Sequence, residues 1–299
     1  MKRYEGTDFE NITESAVCIG KFDGIHLGHR LLVNETVRSP HPALMLTFRF
    51  EGQKSIYTDA EKEKTASELG IEHYVEVPAT KEFFSMEPET FIKEILCKKL
   101  GAKQVVVGTD FRFGKDRTGD VKTLEKFSEN YGYKLTVVDK LKSDEGEIIS
   151  STGIRKYIAD GEIKKANKLL GRNYSISGTV TGGMRLGRKI EVPTANIIPQ
   201  NDKLLPPFGV YAVRVIGEGE DAYTGVANLG VKPTVGGDNP IGLEVNIFDF
   251  EGDIYDREII VEFIDFIRPE KRFDDIVTLK KQIETDVKNA QKILLAQGH

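Results

Sequence analysis

The stretch Ala16-Val17-Cys18-Ile19-Gly20-Lys21-Phe22-Asp23-Gly24-Ile25-His26-Leu27-Gly28-His29, followed by Leu31, Leu32 and Val33, decides how the chain is read. A short apolar run, a turn with three glycines and a renewed apolar pattern make a strand, a loop and the start of a helix. Such a helix N-terminus suits phosphate. Its first N–H groups lack partners, it carries a partial positive charge, and Gly20, Gly24 and Gly28 let an anion come close to the backbone. His26 and His29 are three apart, so on a helical first turn they share a face and reach one phosphoryl group, which fits nucleotidyl transfer. An isolated His-x-x-His is more often an incidental pair; the preceding strand, the glycines and Asp23 favour the catalytic reading. A zinc site would need further ligands, and no neighbouring Cys or Glu is spaced to supply them.

Toward the C-terminus, Ala43 to Phe50 reads as a second strand, Asp59 to Leu69 as a helix with Asp59 at its N-cap, and Tyr74 to Val77 as a strand. Pro88 to Leu100 reads as a helix with Phe91, Ile95 and Leu96 at helical spacing. Gln104-Val105-Val106-Val107-Gly108 is a continuous apolar run of the kind buried in parallel sheets, and Leu135 to Val138 is a further strand. Strands alternating with helices predict a doubly wound α/β domain. In such sheets ligands sit outside the carboxyl ends of the strands, so the loop Gly108 to Asp120 is expected in the same crevice as His26. From composition alone that loop is equally a solvated charged turn. Ser150-Ser151-Thr152-Gly153-Ile154-Arg155 opens another helix, with Ser151 or Thr152 as N-cap. Arg155, one turn in, opposes the macrodipole unless an anion lies between, and a triphosphate would supply it.

The helical pattern resumes from Ile163 to Leu170, and beyond Gly171 it gives way to strands, which sets a domain boundary near residue 172. Six strand-like runs follow: Tyr174 to Val180, Ala195 to Ile198, Val210 to Ile216, Tyr223 to Leu229, Leu243 to Phe250 and Glu258 to Ile267. Gly- and Pro-rich turns between them predict a small antiparallel barrel or sandwich, and Ile276, Leu279, Ile283, Val287, Ala290 and Leu294 mark a C-terminal helix packed on it. Between the first two runs lies a loop with Gly178, Gly182, Gly183, Arg185, Gly187 and Arg188, a phosphate-loop signal of moderate strength. Thr194 and Asn196 are two apart, so on a strand they face the same way, where a hydroxyl and an amide oxygen suit Mg²⁺; a capping Thr and a turn Asn are the plainer alternative. In Leu243-Glu244-Val245-Asn246-Ile247 the alternation puts Glu244 and Asn246 opposite the apolar row. Most such glutamates are merely solvated.

The chain has 299 residues, enough for two domains each burying its own core. Its net charge of −5 argues against a nucleic-acid scaffold or an anionic-membrane binder. Two distant cysteines, Cys18 and Cys97, form no metal knuckle or disulfide framework, and no run approaches the ~18 apolar residues of a membrane span, so a cytoplasmic protein is expected.

Gly20-x-Phe22-Asp23-Gly24-x-His26-x-Gly28-His29 resembles the signature of the FMN adenylyltransferase module of prokaryotic bifunctional riboflavin kinase/FAD synthetases. The resemblance continues through Gly108-x-Asp110-Phe111-x-Phe113-Gly114 and Ser150-Ser151-Thr152-x-x-Arg155. By it Gly20, Phe22, Asp23, Gly24, Gly28, Asp110, Ser151, Thr152 and Arg155 join the two histidines at a nucleotide site. The glycine loop, Pro193-Thr194-Ala195-Asn196, Asn228-Leu229-Gly230 and Leu243-Glu244-Val245 resemble the riboflavin kinase module. There Glu244 is implied as the base, Thr194 and Asn196 as Mg²⁺ ligands, and the loop's glycines and arginines as phosphate contacts. The resemblance thus implies a nucleotidyltransferase-like domain over 1–172 and a kinase barrel over 173–299. The implied reactions are riboflavin to FMN and FMN to FAD, each with ATP. Where the family has Phe-x-Pro-His-Pro this chain has Phe48-Arg49-Phe50-Glu51-Gly52, without the φ restraint of either proline. The departure suggests one alternative, a kinase with a degenerate N-terminal domain; a second, of another class, is a flavin-sensing regulator that binds ligand, or RNA, without turnover.

Overall fold

The computed structural model describes residues 1–181, 194–217, 222–231, 240–252 and 254–298. Two compact units, Met1–Ser151 and Thr152–His299, make up the chain. The first carries β1 (Lys2–Glu5), β2 (Ser15–Ile19), β3 (Ala43–Arg49), β4 (His73–Pro78), β5 (Ala102–Gly108) and β6 (Lys134–Val138) in one sheet, ordered β1-β4-β3-β2-β5-β6. Every pairing is parallel. All five residues of β2 are buried, as a continuous apolar run at the centre of a covered sheet should be.

Alternate strand residues feed two separate cores. Val17, Ile19, Leu44, Leu46, Val105 and Val107 pack with Phe91, Ile92, Leu96 and Leu124. Cys18, Met45 and Val106 pack on the other face with Phe22, Ile25, Val33 and Ala66. Helices therefore lie on both sides: α1 (Leu27–Val37) and α2 (Asp59–Glu68) on one, the helical segment 88–99 and α5 (Val121–Tyr131) on the other. Two short α segments, α3 (Lys81–Phe84) and α4 (Pro88–Thr90), lie between β4 and β5, and α4 continues as a wide π-type turn, Phe91–Lys99. The Asp59 to Leu69 helix starts one residue after its cap. Thr58, not Asp59, is the N-cap, in a reciprocal capping box with Glu61.

In the second unit α6 (Ser151–Ala159, its first residue still in the first unit) and α7 (Ile163–Leu170) precede six strands. Asn167 fastens α7 to them, accepting from Tyr174 N at 2.7 Å and donating to Phe263 O at 2.8 Å. The strands are β7 (Tyr174–Thr179), β8 (Ala195–Ile197), β9 (Gly209–Ile216), β10 (Ala222–Val231), β11 (Ile241–Ile247) and β12 (Glu258–Pro269), ordered β7-β12-β9-β10-β11-β8 and antiparallel throughout. An isolated bridge between Thr181, just past β7, and Asn196 on β8 brings the two edges of this sheet together, so it curls into a barrel. A terminal helix, α8 (Ile276–Ala296), packs Ala290 and Leu294 against Val210, Ala212, Val226 and Ile264.

Gly178 sits where the barrel curls shut. A Cβ there would overlap Cγ2 of the fully buried Ile197. That methyl branches directly from Cβ and moves only if the buried side chain turns within the core, so Gly178→Ala should lower stability by about 1–3 kcal/mol. Urea unfolding followed by circular dichroism reads the loss; an unchanged midpoint would show that the strands slide apart without cost.

Candidate active sites

The first site is built on the carboxyl ends of β2 and β5, neighbours in the sheet. Chain order runs outward from β2 through β3 and β4 on one side and through β5 and β6 on the other, so a crevice opens between them. The motif loop leaves β2 with Phe22 at φ 48°, Gly24 at φ 83° and Ile25 at φ 39°. For Phe and a β-branched Ile this left-handed backbone costs roughly 1–3 kcal/mol apiece. Burial offsets the cost, since both side chains are fully enclosed in the core under α1. The loop is thus held in a conformation that local preference opposes.

That geometry corrects the expected placement of the histidines. His26 is not in the first turn of α1 but is its N-cap, with φ −65° and ψ 173°, and its Nδ1 accepts from His29 N at 3.3 Å. The two rings lie face to face, centroids 3.7 Å apart and 16° from parallel, and the Phe22 ring meets His29 edge-on at 5.2 Å. Because His26 Nδ1 is an acceptor, its proton sits on Nε2. Burial drives His26 down from 6.5 to about 4 against a small opposing pull from Asp23, and drives His29 well below its ordinary value with help from His26. His29 Nδ1 is sealed from solvent without a hydrogen-bond partner. Both shifts favour the neutral ring at pH 7. Gly28 makes room for the stack, since a Cβ there would stand 3.2 Å from the His26 ring.

A depressed histidine pKa also sets acid stability. The unfolded chain binds a proton at His26 below about pH 6.5 and the folded protein only near pH 4, so stability present above pH 6.5 is lost as pH falls through that window. The amount is roughly 3 kcal/mol, from about 1.36 kcal/mol per pKa unit. Denaturant midpoints at pH 7 and pH 4.5 should show it, and His26→Asn, which keeps a cap acceptor but does not titrate, should lose less.

The remaining residues take varied positions. Asp23, 4% exposed, turns its carboxylate to Ile56 N at 2.8 Å, while its carbonyl accepts the Ser151 hydroxyl at 3.0 Å. It ties the motif loop to two other segments. Ser151 opens α6 instead of capping it, and Thr152 and Arg155 follow on the same helix. Asp110, just beyond β5, is exposed and pairs with Lys140 at 2.8 Å. A Cβ at Gly20 would first meet the Phe22 ring at 3.4 Å, an ordinary contact.

The second site lies on the barrel. Glu244 on β11 stands directly opposite Asn196 on β8 and Asn228 on β10. Directly opposed residues share a face, so the three form one polar row across three strands. Glu244 is exposed, whereas Leu243 and Val245 beside it are buried, which is the alternation read from the sequence. The row borders a largely apolar cavity of about 510 Å³ whose lining includes Thr194, Asn228, Glu244, Asn246, Phe273, Ile276, Leu279 and Ile283. Asn196 is 5% exposed, and its Nδ2 donates to Thr194 O at 3.4 Å. Gly178 is at the barrel's closure. Gly182, Gly183, Arg185, Gly187 and Arg188 lie outside the described residues.

Sequence reasoning missed the far wall of this cavity, made by the end of β12, residues 268–273 and the first half of α8. Its available signal was an apolar stripe on α8, which packing on the barrel explains only for the second half.

The family comparisons cover both sites. The model of the FAD synthetase family matches residues 8–153, and that of the riboflavin kinase family matches residues 170–294. The bifunctional riboflavin kinase/FMN adenylyltransferase of Escherichia coli (strain K12) is 37% identical over 287 residues, spanning 92% of this chain and 91% of that protein. The protein of the same description from Bacillus subtilis (strain 168) is 34% identical over 297 residues, 94% of this chain and 93% of its own. A crystal structure described as a macrolide-efflux protein from Streptococcus pneumoniae superposes with a TM-score of 0.82 at 30% identity, covering 95% of this chain and 97% of that one. Among the described residues no helix is long and apolar enough to cross a membrane. With both halves matched in order and relatives above 30% identity along nearly its whole length, the chain belongs to the bifunctional riboflavin kinase/FMN adenylyltransferase family.

Proposed function

We propose that this chain makes FAD in two steps, phosphorylating riboflavin to FMN and then adenylylating FMN, each with one ATP. The observation that carries the first step is the row Asn196, Glu244 and Asn228 beside a largely apolar cavity of about 510 Å³, a volume that suits a heteroaromatic ring system. Glu244 takes the proton of the ribityl 5′-hydroxyl as its oxygen attacks the γ-phosphate; ADP leaves, and the proton returns to water. The donor set suits Mg²⁺. Thr194 and Asn196 offer neutral oxygen ligands, and a hard cation of this kind commonly takes its remaining ligands from substrate phosphates and water. Bound there, it would neutralise charge on the transferring phosphates.

In the second step an FMN phosphate oxygen attacks the α-phosphate of ATP, and pyrophosphate leaves. His26 from Nε2, and His29 from its ring N–H, donate to the phosphoryl oxygens as charge builds on them, with Ser151, Thr152, Arg155 and the α1 N-terminus supporting the nucleotide. The first turn of α1 carries no acidic residue to repel it. The strained motif loop, the stacked histidines and the FAD synthetase match over 8–153 support retention of this step despite Glu51 and Gly52 in place of the prolines. The alternatives, a kinase alone or a silent flavin binder, gain no comparable support. Two unpaired cysteines favour a cytoplasmic location, and net charge and cavity favour small-molecule partners, riboflavin, FMN and ATP, over nucleic acid or membrane.

The test is chromatography of flavins after incubation with riboflavin, ATP and Mg²⁺, and separately with FMN. FMN followed by FAD is expected. FMN alone would mean the histidine site is silent, and no new flavin in either tube would overturn both assignments.

A further inference from the structure

Only half of α8 rests on the barrel. Val287, Ala290, Ile293 and Leu294 belong to the core beneath it, whereas Ile276, Leu279 and Ile283, on the same face, line the cavity instead. Ile276 is 66% exposed. Between the two halves stands Asp286, only 4% exposed, gripped by Arg268 from the end of β12. The guanidinium engages both carboxylate oxygens: Nε reaches Oδ1 at 2.9 Å and NH2 reaches Oδ2 at 2.7 Å. Gln282 adds a bond to Oδ1 at 2.9 Å, and Arg268 NH1 donates to Pro269 O at 2.9 Å. Two bulges in β12, between Phe263 and Asp265 and between Phe266 and Arg268, shift the register just before Arg268. The guanidinium carbon also lies 5.9 Å from the centre of the Phe273 ring, another cavity wall.

A fork held at both oxygens fixes direction as well as distance, which a point charge does not. We infer that the Arg268–Asp286 pair is the pivot from which the first half of α8 leaves the barrel, and that it positions Ile276, Leu279, Ile283 and Phe273 against the flat apolar ring of the acceptor substrate. The inference rests on the kinase reading of the cavity. Arg268 and Asp286 themselves reach the cavity lining, beside Glu270, Lys271 and Lys280; with their charged groups engaged to each other, their part is to position the apolar side chains, not to transfer the phosphoryl group. The pair therefore governs how well riboflavin is bound, while the turnover of bound substrate is left to the polar row across β8, β11 and β10.

The experiment is steady-state kinetics of Asp286→Asn and Arg268→Lys in the full chain. Asp286→Asn keeps the shape but loses the charge, and Arg268→Lys keeps the charge but loses the fork. Both should raise KM for riboflavin about tenfold, with kcat and KM for ATP near wild type, a split that loss of uniform binding produces. Conversion of supplied FMN to FAD, measured on the same samples, should not change. An unchanged riboflavin KM overturns the inference, as does a fall in kcat with both KM values moved, since that marks a fold-holding contact. Failure of the kinase reading looks different: wild-type protein would then make no FMN at all.

Discussion

Glu244→Gln should stop FMN formation while sparing the conversion of supplied FMN to FAD. Glutamine keeps the length and shape of the side chain and still fits the exposed face of β11, so the barrel has no reason to open. What it removes is a proton acceptor at the polar row shared with Asn196 and Asn228. A positioned base contributes about 10²- to 10⁴-fold, and the phosphoryl-transfer rate should fall within that range while the KM for ATP holds. Flavin chromatography with riboflavin in one tube and FMN in the other reads both reactions from one preparation. Equal loss of both activities would refute the division of labour between the two units.

The parts of the fold that announced themselves are those with a period. The fully buried β2, the buried run Val105 to Val107 of β5 and the alternating β11 stand where their patterns put them, because burial on two faces or on one leaves a trace in sequence. β1 left none: Lys2-Arg3-Tyr4-Glu5 is an edge strand held by its pairing with β4, by Tyr4 packed on the core and by ion pairs such as Arg3 to Glu63 at 3.0 Å. α5 was legible in retrospect, with Asp120 as N-cap and Gly132 left-handed at its end, but the phosphate-loop reading absorbed its start. At the candidate sites the sequence supplied residues and not their geometry. Nothing local says that His26 caps α1, since this depends on Phe22 and Ile25 being buried in a backbone region that both disfavour. Gly178 read as a phosphate-loop glycine, and Ile197, nineteen positions away, gives it a closure role. The cavity's far wall escaped for the same reason, since a helix stripe shows which face is covered but not whether protein or ligand covers it.

His29→Ala should reverse the pattern, leaving riboflavin phosphorylation intact so that FMN accumulates and FAD does not form. Losing a donor aimed at developing phosphoryl charge costs about 10²- to 10³-fold. Alanine also strips the His26 ring of its stacking partner and the Phe22 edge of its neighbour, so part of the loss comes from a disordered cap. His29→Gln separates the two effects, because its amide keeps an N–H donor without an ionisable ring. If the pair works as neutral donors, glutamine retains more adenylyl transfer than alanine, and the wild-type rate shows no inflection near 6.5. The depressed values of both rings carry this expectation, since burial holds each below the ordinary histidine value. A rate that climbs as pH drops through 6.5, with glutamine as poor as alanine, would instead mean that bound triphosphate draws a proton onto the stack and that an imidazolium does the work.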